Sequence, residues 1–510
     1  VARVFANKAG QQKLTPEAVQ EHGTHVAGTV ACDAKTPATV DGVSIPYDPS
    51  GVAPGAQLGN YNVFPGDITN ARSEDILNAL QAAAEDGMNV INMSLGGNAS
   101  GVQDLLTTAV DNLDRANIVV AVAAGNSGPG HGTVESPGSA ERALTAGAST
   151  VGHYIGVPVS AGGQQVASAA TGDFPVTADY TGTLVAAAGD PVGDGCTDGS
   201  YGDASGKIAL VLRGACSFSV KVATAEKAGA VGVIVINNTG GDPIAMATDG
   251  VTTTSIPAVM VAQSAQDAMV ALIGQQVTVG AQPTYILSGN DDIMADFSSQ
   301  GPTDVDYRVK PDVVAPGVNV LSSIPHTFCD HPEDGGCWAF FQGTSMATPH
   351  LAGTAAVVRQ AHPSWTAWQV RSAIVNTADT GVLTRATAPE TPETDPQIIG
   401  AGRENALAAV DADLALSSVS VSFGAVPHRN SAPQTRTVSV ANLSGHEITV
   451  SVAVTGSAAF AASASTLTVP AGGSADLTVS FDPAAGAAGD NVATLRLGSL
   501  AHAVLYAYGK

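Results

Sequence analysis

Residues 73–97 read SEDILNALQAAAEDGMNVINMSLGG, and the periodicity changes once along the way. Ile76, Leu77, Leu80 and Ala84 recur at helical spacing, which predicts a helix from Ser73 to Gly87 with Ser73 as its cap. From Met88 to Leu95 the pattern becomes a short apolar run, and two glycines stop it. The unit then repeats: a helical stretch from Leu105 to Ala116, an apolar run from Ile118 to Ala124, and Gly-Asn-Ser-Gly. Helices that twice deliver the chain to a buried strand predict the α/β class, a parallel sheet with helices on both faces.

Outward from this region the texture changes. Ile208 to Leu212, Val231 to Ile236 and Ile256 to Val261 are short strands, with a helix from Ser219 to Ala230 between the first two. They predict an α+β or β domain inserted over residues 150–290, splitting the first domain into 1–149 and 291–415. Helices are expected at Ala347 to Ala361 and Thr366 to Thr377. Thr384 to Pro396 has the composition of a linker, but Ile398 to Val410 reads as a further strand and helix, so the boundary falls later. Over 416–510, Ile448, Val450, Val452 and Val454 alternate with small or polar residues, as do Ala475, Leu477, Val479 and Phe481. That period of two predicts a small antiparallel β-sandwich.

The 510 residues are 44% hydrophobic and 13% charged, enough for about three domains. With 21 basic and 45 acidic residues the net charge is −24, which argues against nucleic acid or an anionic membrane as partner. No apolar run approaches the ~18 residues of a membrane-spanning helix. The first residues show no basic end or apolar stretch, so a signal peptide is read as already absent. Among five cysteines, Cys196 with Cys216 and Cys329 with Cys337 are close in sequence, and two disulfides of an exported protein are favoured over metal ligation. Cys32 is left over, either a small buried thiol or a partner for a missing amino-terminal segment.

Hydrolysis of an amide by serine needs an imidazole to take the hydroxyl proton. Ser345, in a Gly-Thr-Ser turn opening a helix, and His22, just before a stretch of small residues, are the candidates. Small neighbours admit a substrate, and the helix amino terminus favours negative charge. Pro349 is read as tolerable in a first turn. Asn126, in the turn after an apolar strand, can aim an amide at a substrate carbonyl.

Three separated segments, EHGTHVAGTVA from Glu21, AVAAGNSGPG from Ala121 and FQGTSMATPHLAG from Phe341, together resemble the subtilase family of serine peptidases. VINMSLGG, DFSSQGP and KPDVVAPG extend the match in the family's order. The resemblance implies a subtilisin-like sheet and a secreted, extracellular endopeptidase. In it Ser345 is the nucleophile and His22 the base, while Asn126 and the amide of Ser345 form the oxyanion hole. His25 is given a structural role. Ser94, Leu95, Gly96 and Gly97, with Ala123, Ala124 and Gly125 and with Gly343 and Thr344, would bind an extended protein or peptide substrate. The small residues of this pocket hint at a broad, apolar preference.

RGACSFSVKVATAEKAGAVGVIVINN from Arg213 resembles the protease-associated domain, and the tail resembles a fibronectin type III-like module. No cofactor is expected. Calcium is common in the family, but Asp242, Asp291 and Asp292 read as surface acids. A monomer is expected.

The family's aspartate, in an Asp-Thr-Gly or Asp-Ser-Gly turn before the histidine, has no counterpart, because Val1 to Glu21 contain no aspartate. The expectation is that truncation removed it, along with a core strand. Glu17 and Glu21 are read as solvated charges. The alternative is a catalytically inactive pseudopeptidase that binds extended peptides.

Overall fold

The computed structural model describes residues 1–5, 18, 20–40, 42–65, 68, 70–99, 101, 103–329, 337–427 and 432–510. The first domain contains β1 (Ala2–Val4), α1 (His22–Ala31), β2 (Asn60–Asn62), α2 (Ser73–Glu85), β3 (Val90–Met93), α3 (Leu105–Arg115), β4 (Val119–Ala123) and β5 (Leu144–Thr150). After the insertion come β6 (Ile293–Met294), β7 (Val313–Val318), α4 (Thr344–Ala361) and α5 (Ala367–Asn376). β3, β4, β5 and β7 run parallel, with Ala146 of β5 paired to Ala123 on one side and Val313 on the other. Covered on both faces, β4 is apolar throughout, which is why its sequence shows a continuous run instead of alternation. α4 buries Ala347, Leu351, Ala352, Ala355 and Val358 in the main core with Leu144 and Val313.

Helix ends correct two expectations. Arg72, not Ser73, is the cap residue of α2, and no side chain caps it. α4 already begins at Thr344, so Pro349 lies beyond its first turn. Asp104 does cap α3, in a reciprocal box with Thr107.

Lys310 and Asp312 fasten the start of β7 to β5. Lys310 Nζ donates to Asp312 Oδ2 at 2.6 Å, Thr145 Oγ1 at 3.0 Å and the Ala143 carbonyl at 3.0 Å, while Asp312 accepts the Thr145 amide. Burial lowers the Lys310 pKa, and the Asp312 carboxylate opposes that shift. Three acceptors around one buried ammonium leave it fully satisfied.

Thr384–Arg385 and Ala388–Pro392 add to this sheet through β6, so the linker-like segment is part of the sheet. The strand expected after Ile398 is absent; Pro396–Ile399 and Ala406–Val410 are short helices. Of the three aspartates expected at the surface, Asp291 is exposed, whereas Asp292 is half-buried and Asp242 buried. Asp242 accepts from Ser288 and Asn290, Asp291 accepts the Gly152 amide, and Asp292 pairs with Arg403.

Between these halves, strands His153–Ala161, Gln164–Ala170, Ala258–Val261, Gly232–Ile236, Ile208–Leu212, Tyr180–Ala186 and Gln276–Val279 pair in succession. The last returns to the first, closing a barrel. Helix Phe218–Lys227 starts at Ser217, whose hydroxyl accepts the Val220 amide. The structure joins Cys196 to Cys216 and Cys329 to Cys337; Cys32 is a free, half-buried thiol.

From Leu414 the chain forms two packed sheets. Ile448, Val450 and Val452 point inward with Leu477, Val479 and Phe481, as the alternation predicts. One pair, Ser420–Val426 with Ala501–Gly509, is parallel, so the sandwich is not purely antiparallel. It is anchored to α5: Asn376 Nδ2 donates to the carbonyls of Val419 and His502, and Leu416 N donates to Ser372 Oγ. His502 Nε2 lies 2.9 Å from the Ala401 carbonyl.

Candidate active site

β4 ends at Ala123, and the chain turns through Gly125, at φ +112°, to Asn126. Asn126 Oδ1 accepts both the amide and the hydroxyl of Thr344, each at 2.9 Å. Because that oxygen faces two donors, the network assigns Nδ2 to the opposite side. Thr344 Oγ1 in turn accepts the Gly125 amide at 3.2 Å.

Gly343, the residue preceding α4, has φ +149°. A Cβ there would lie 3.6 Å from Ser345 N and 3.7 Å from Asn126 Nδ2. The space above Gly343 is therefore bordered by two N–H donors at the positive end of a helix, where an oxyanion would be stabilised.

Ser345 is half-buried and bound to Ser94 in both directions. Its Oγ donates to the Ser94 carbonyl at 3.3 Å, and Ser94 Oγ donates to the Ser345 carbonyl at 2.7 Å. Pro349 explains the second bond. Its nitrogen carries no hydrogen, so the carbonyl four residues earlier has no helical donor.

His22 opens α1, which packs on α4. The two helices come close at Gly353, where a Cβ would lie 3.4 Å from the Val30 carbonyl and 2.5 Å from Val52 Cβ. His22 is exposed at the surface, and the protein packed around it lowers its pKa. Among the described residues no hydrogen bond joins His22 to Ser345. His25 points elsewhere: it is buried, with Nε2 at 3.0 Å from the Val320 carbonyl and 3.2 Å from that of Ala339, and it stacks on Phe341. Burial pulls its pKa down to about 4.

β1 pairs with β2, β3 pairs with β4, and a cavity of about 1270 Å³ separates β2 from β3. Ile76, Leu80, Val26, Val30 and Ala352 give it apolar walls, and His22 lines it too. Glu17 lies outside the described residues; Glu21 lines a second cleft of about 430 Å³.

Ser94 to Gly97 follow β3. Gly97 exchanges both main-chain bonds with Ser136, whereas among the described residues no main-chain bond uses Leu95 or Gly96. Ala123, Ala124 and Gly125 are buried, so Asn126 is the exposed residue of the wall opposite. The sequence reading missed Glu135, whose side chain fills the space beside Gly96 and Gly125. It lies between the quoted motifs, and only folding brings it there.

The family model described as "Subtilase family" matches residues 3–402. The chain belongs to the subtilase family. This subtilase is 33% identical over 413 residues to the minor extracellular protease Vpr of Bacillus subtilis, covering 79% of the chain and 47% of the relative. It is 30% identical to the subtilisin-like protease SBT1.4 of Arabidopsis thaliana, covering 72% and 48%. A solved psychrophilic subtilisin-like protease, Apa1 from Pseudoalteromonas sp. AS-11, aligns at TM-score 0.45 and 23% identity, covering 80% of this chain and 87% of that one. The chain spans about half the length of the two curated relatives named here.

Proposed function

We propose that this subtilase is a secreted serine endopeptidase, with Ser345 as nucleophile, His22 as general base, and Asn126 Nδ2 and the Ser345 amide as oxyanion donors. The observation that carries the reading is the lock on Asn126: Thr344 holds its oxygen, which turns the amide nitrogen toward the space beside Ser345 N. Attack by Ser345 Oγ on a peptide carbonyl would pass its proton to His22 and form a tetrahedral oxyanion over Gly343. Collapse to the acyl-enzyme releases the amine with that proton, and water then repeats the sequence to free the acid.

For this to proceed, Ser345 Oγ leaves the Ser94 carbonyl and turns to His22; catalytic hydrogen bonds often tighten only with substrate bound. Orientation of His22 by a third group is assigned to a carboxylate on a strand inserted between β2 and β3. The apolar cavity there, bordered by two strands that do not pair with each other and reached by His22, supports that placement.

An extended peptide would add along Leu95 and Gly96, whose main-chain groups are free among the described residues. The barrel over 150–290 is read as a protease-associated domain, and the carboxy-terminal sandwich as a fibronectin type III-like module. Thr171 to Asp173 and Pro243 to Ala245 of the barrel face Glu21 and Phe340 to Gln342 across the second cleft. A long substrate leaving the site could therefore touch the barrel, whereas a short peptide would not.

The test is to express the parent gene product and its Ser345→Ala variant and assay both on an unfolded protein. Cleavage that disappears in the variant supports the peptidase. Binding of extended peptides without cleavage, in a gene product with no aspartate-bearing turn before His22, would make the groove a binding surface instead. The bond from Ser345 Oγ to Ser94 rather than to His22 is what favours that second reading.

A further inference from the structure

The walls of the groove beside the candidate nucleophile are glycine at two facing positions, and one side chain explains both. A Cβ on Gly125 would lie 2.6 Å from Glu135 Cδ, and a Cβ on Gly96 would lie 2.8 Å from Glu135 Oε2. The Glu135 side chain thus passes between Gly96 and Gly125 and ends in the groove.

Its backbone is fixed there. Glu135 N donates to the Ala124 carbonyl at 2.8 Å, and neighbouring Ser136 exchanges two main-chain bonds with Gly97. The carboxylate is half satisfied: Oε1 accepts Ser127 Oγ at 2.8 Å, while among the described residues Oε2 has no hydrogen-bond partner. No lysine, arginine or histidine among them forms an ion pair with it. A partly buried anion in a cleft built from backbone and small residues lacks a counter-charge, which a ligand can bring.

We infer that Glu135 makes the pocket beside Ser345 selective for a lysine or arginine side chain on the substrate residue that contributes the scissile carbonyl. This rests on the peptidase reading and replaces the apolar preference suggested by the pocket's small residues. The cation would approach Oε2 from the exposed side, beside Gly96, keeping the Ser127 bond to Oε1 intact. The −24 net charge works in the same direction, drawing basic segments toward the surface.

The experiment uses the full gene product and peptides that differ only in that residue: Lys, Arg, Leu, Phe and Ala. The expected result is a kcat/KM for Lys and Arg roughly ten- to a hundredfold above Leu and Phe, the range of one charge-assisted hydrogen bond. Glu135→Gln, which keeps shape and removes charge, is expected to bring that ratio toward one. A wild-type preference for Leu, Phe or Ala overturns the inference, as does a Lys preference that persists in Glu135→Gln. If no peptide is cleaved above the Ser345→Ala background, the peptidase reading fails by itself. Calorimetric titration with benzamidine then tests the pocket without turnover. Saturable binding weakened about tenfold in Glu135→Gln supports it, and absent or unchanged binding overturns it.

Discussion

Ser94 and Ser345 hold each other: Ser94 Oγ donates to the carbonyl of Ser345 at 2.7 Å, and Ser345 Oγ donates back to the carbonyl of Ser94. The wall of the groove and the start of α4 thus form one unit, made possible by the hydrogen that Pro349 lacks. Ser94→Ala leaves that carbonyl without its donor and is expected to cost about 1–3 kcal/mol in urea unfolding. In steady-state kinetics kcat should fall more than KM rises, since the turn bearing the proposed nucleophile loosens. Unchanged stability together with unchanged kcat would contradict this coupling.

Removing a proposed oxyanion donor should act on turnover and spare binding. Asn126→Ala is expected to lower kcat roughly 10²–10³-fold with little change in KM, the size of effect known from subtilisin itself. Gly343→Ala tests the same space from below. Its methyl would stand 3.6 Å from Ser345 N on a backbone at φ +149°, so a loss of more than about tenfold is expected. Near-UV circular dichroism should stay native-like in both.

Lys310 bears on stability through the buried carboxylate it neutralises. Lys310→Met leaves the buried Asp312 carboxylate without its cation, and a loss of about 3–5 kcal/mol is expected in chemical denaturation. Pairing it with Asp312→Leu should restore much of that stability. A double variant no better than the single one would show that the charge is not the cause.

His25 makes stability fall with acid. Its folded pKa of about 4 lies below the ordinary value of 6.5, so between these pH values the unfolded chain binds a proton that the folded chain refuses. The contribution is whole above about pH 6.5 and is lost as pH falls toward 4. His22 and His350 press in the same direction, and the Val320 and Ala339 carbonyls oppose it. Thermal midpoints of His25→Gln should depend less steeply on pH in that window than those of the wild type.

The pairing of Cys196 with Cys216 closes a 20-residue span around strand Ile208–Leu212. Replacing both by serine is expected to destabilise the barrel by about 3 kcal/mol on the loop-entropy scale. Limited proteolysis under native conditions should then cut the barrel before the rest of the chain.

Long periodic segments were legible in the sequence because one face or both faces of an element decide its composition. α2, α3, β4 and the Ile448–Gly456 strand follow from that pattern within a few residues. Caps were harder: Ser73 has the chemistry of a cap, but the backbone enters the helix at Arg72. Ile398 was misread as a strand because a short apolar run fits a buried helix equally well. His22, Ser345 and Asn126 stood out through their turns, whereas Glu135 carries no local signal. Its position is set by the Gly97–Ser136 bridge, a contact no spacing encodes.

The bonds from Asn376 to Val419 and His502 bear on how this chain can be cut. A version ending near residue 416 would strip a buried amide of both acceptors and uncover the flank of α5. The sandwich is therefore better regarded as masonry under the first domain than as a trailing accessory.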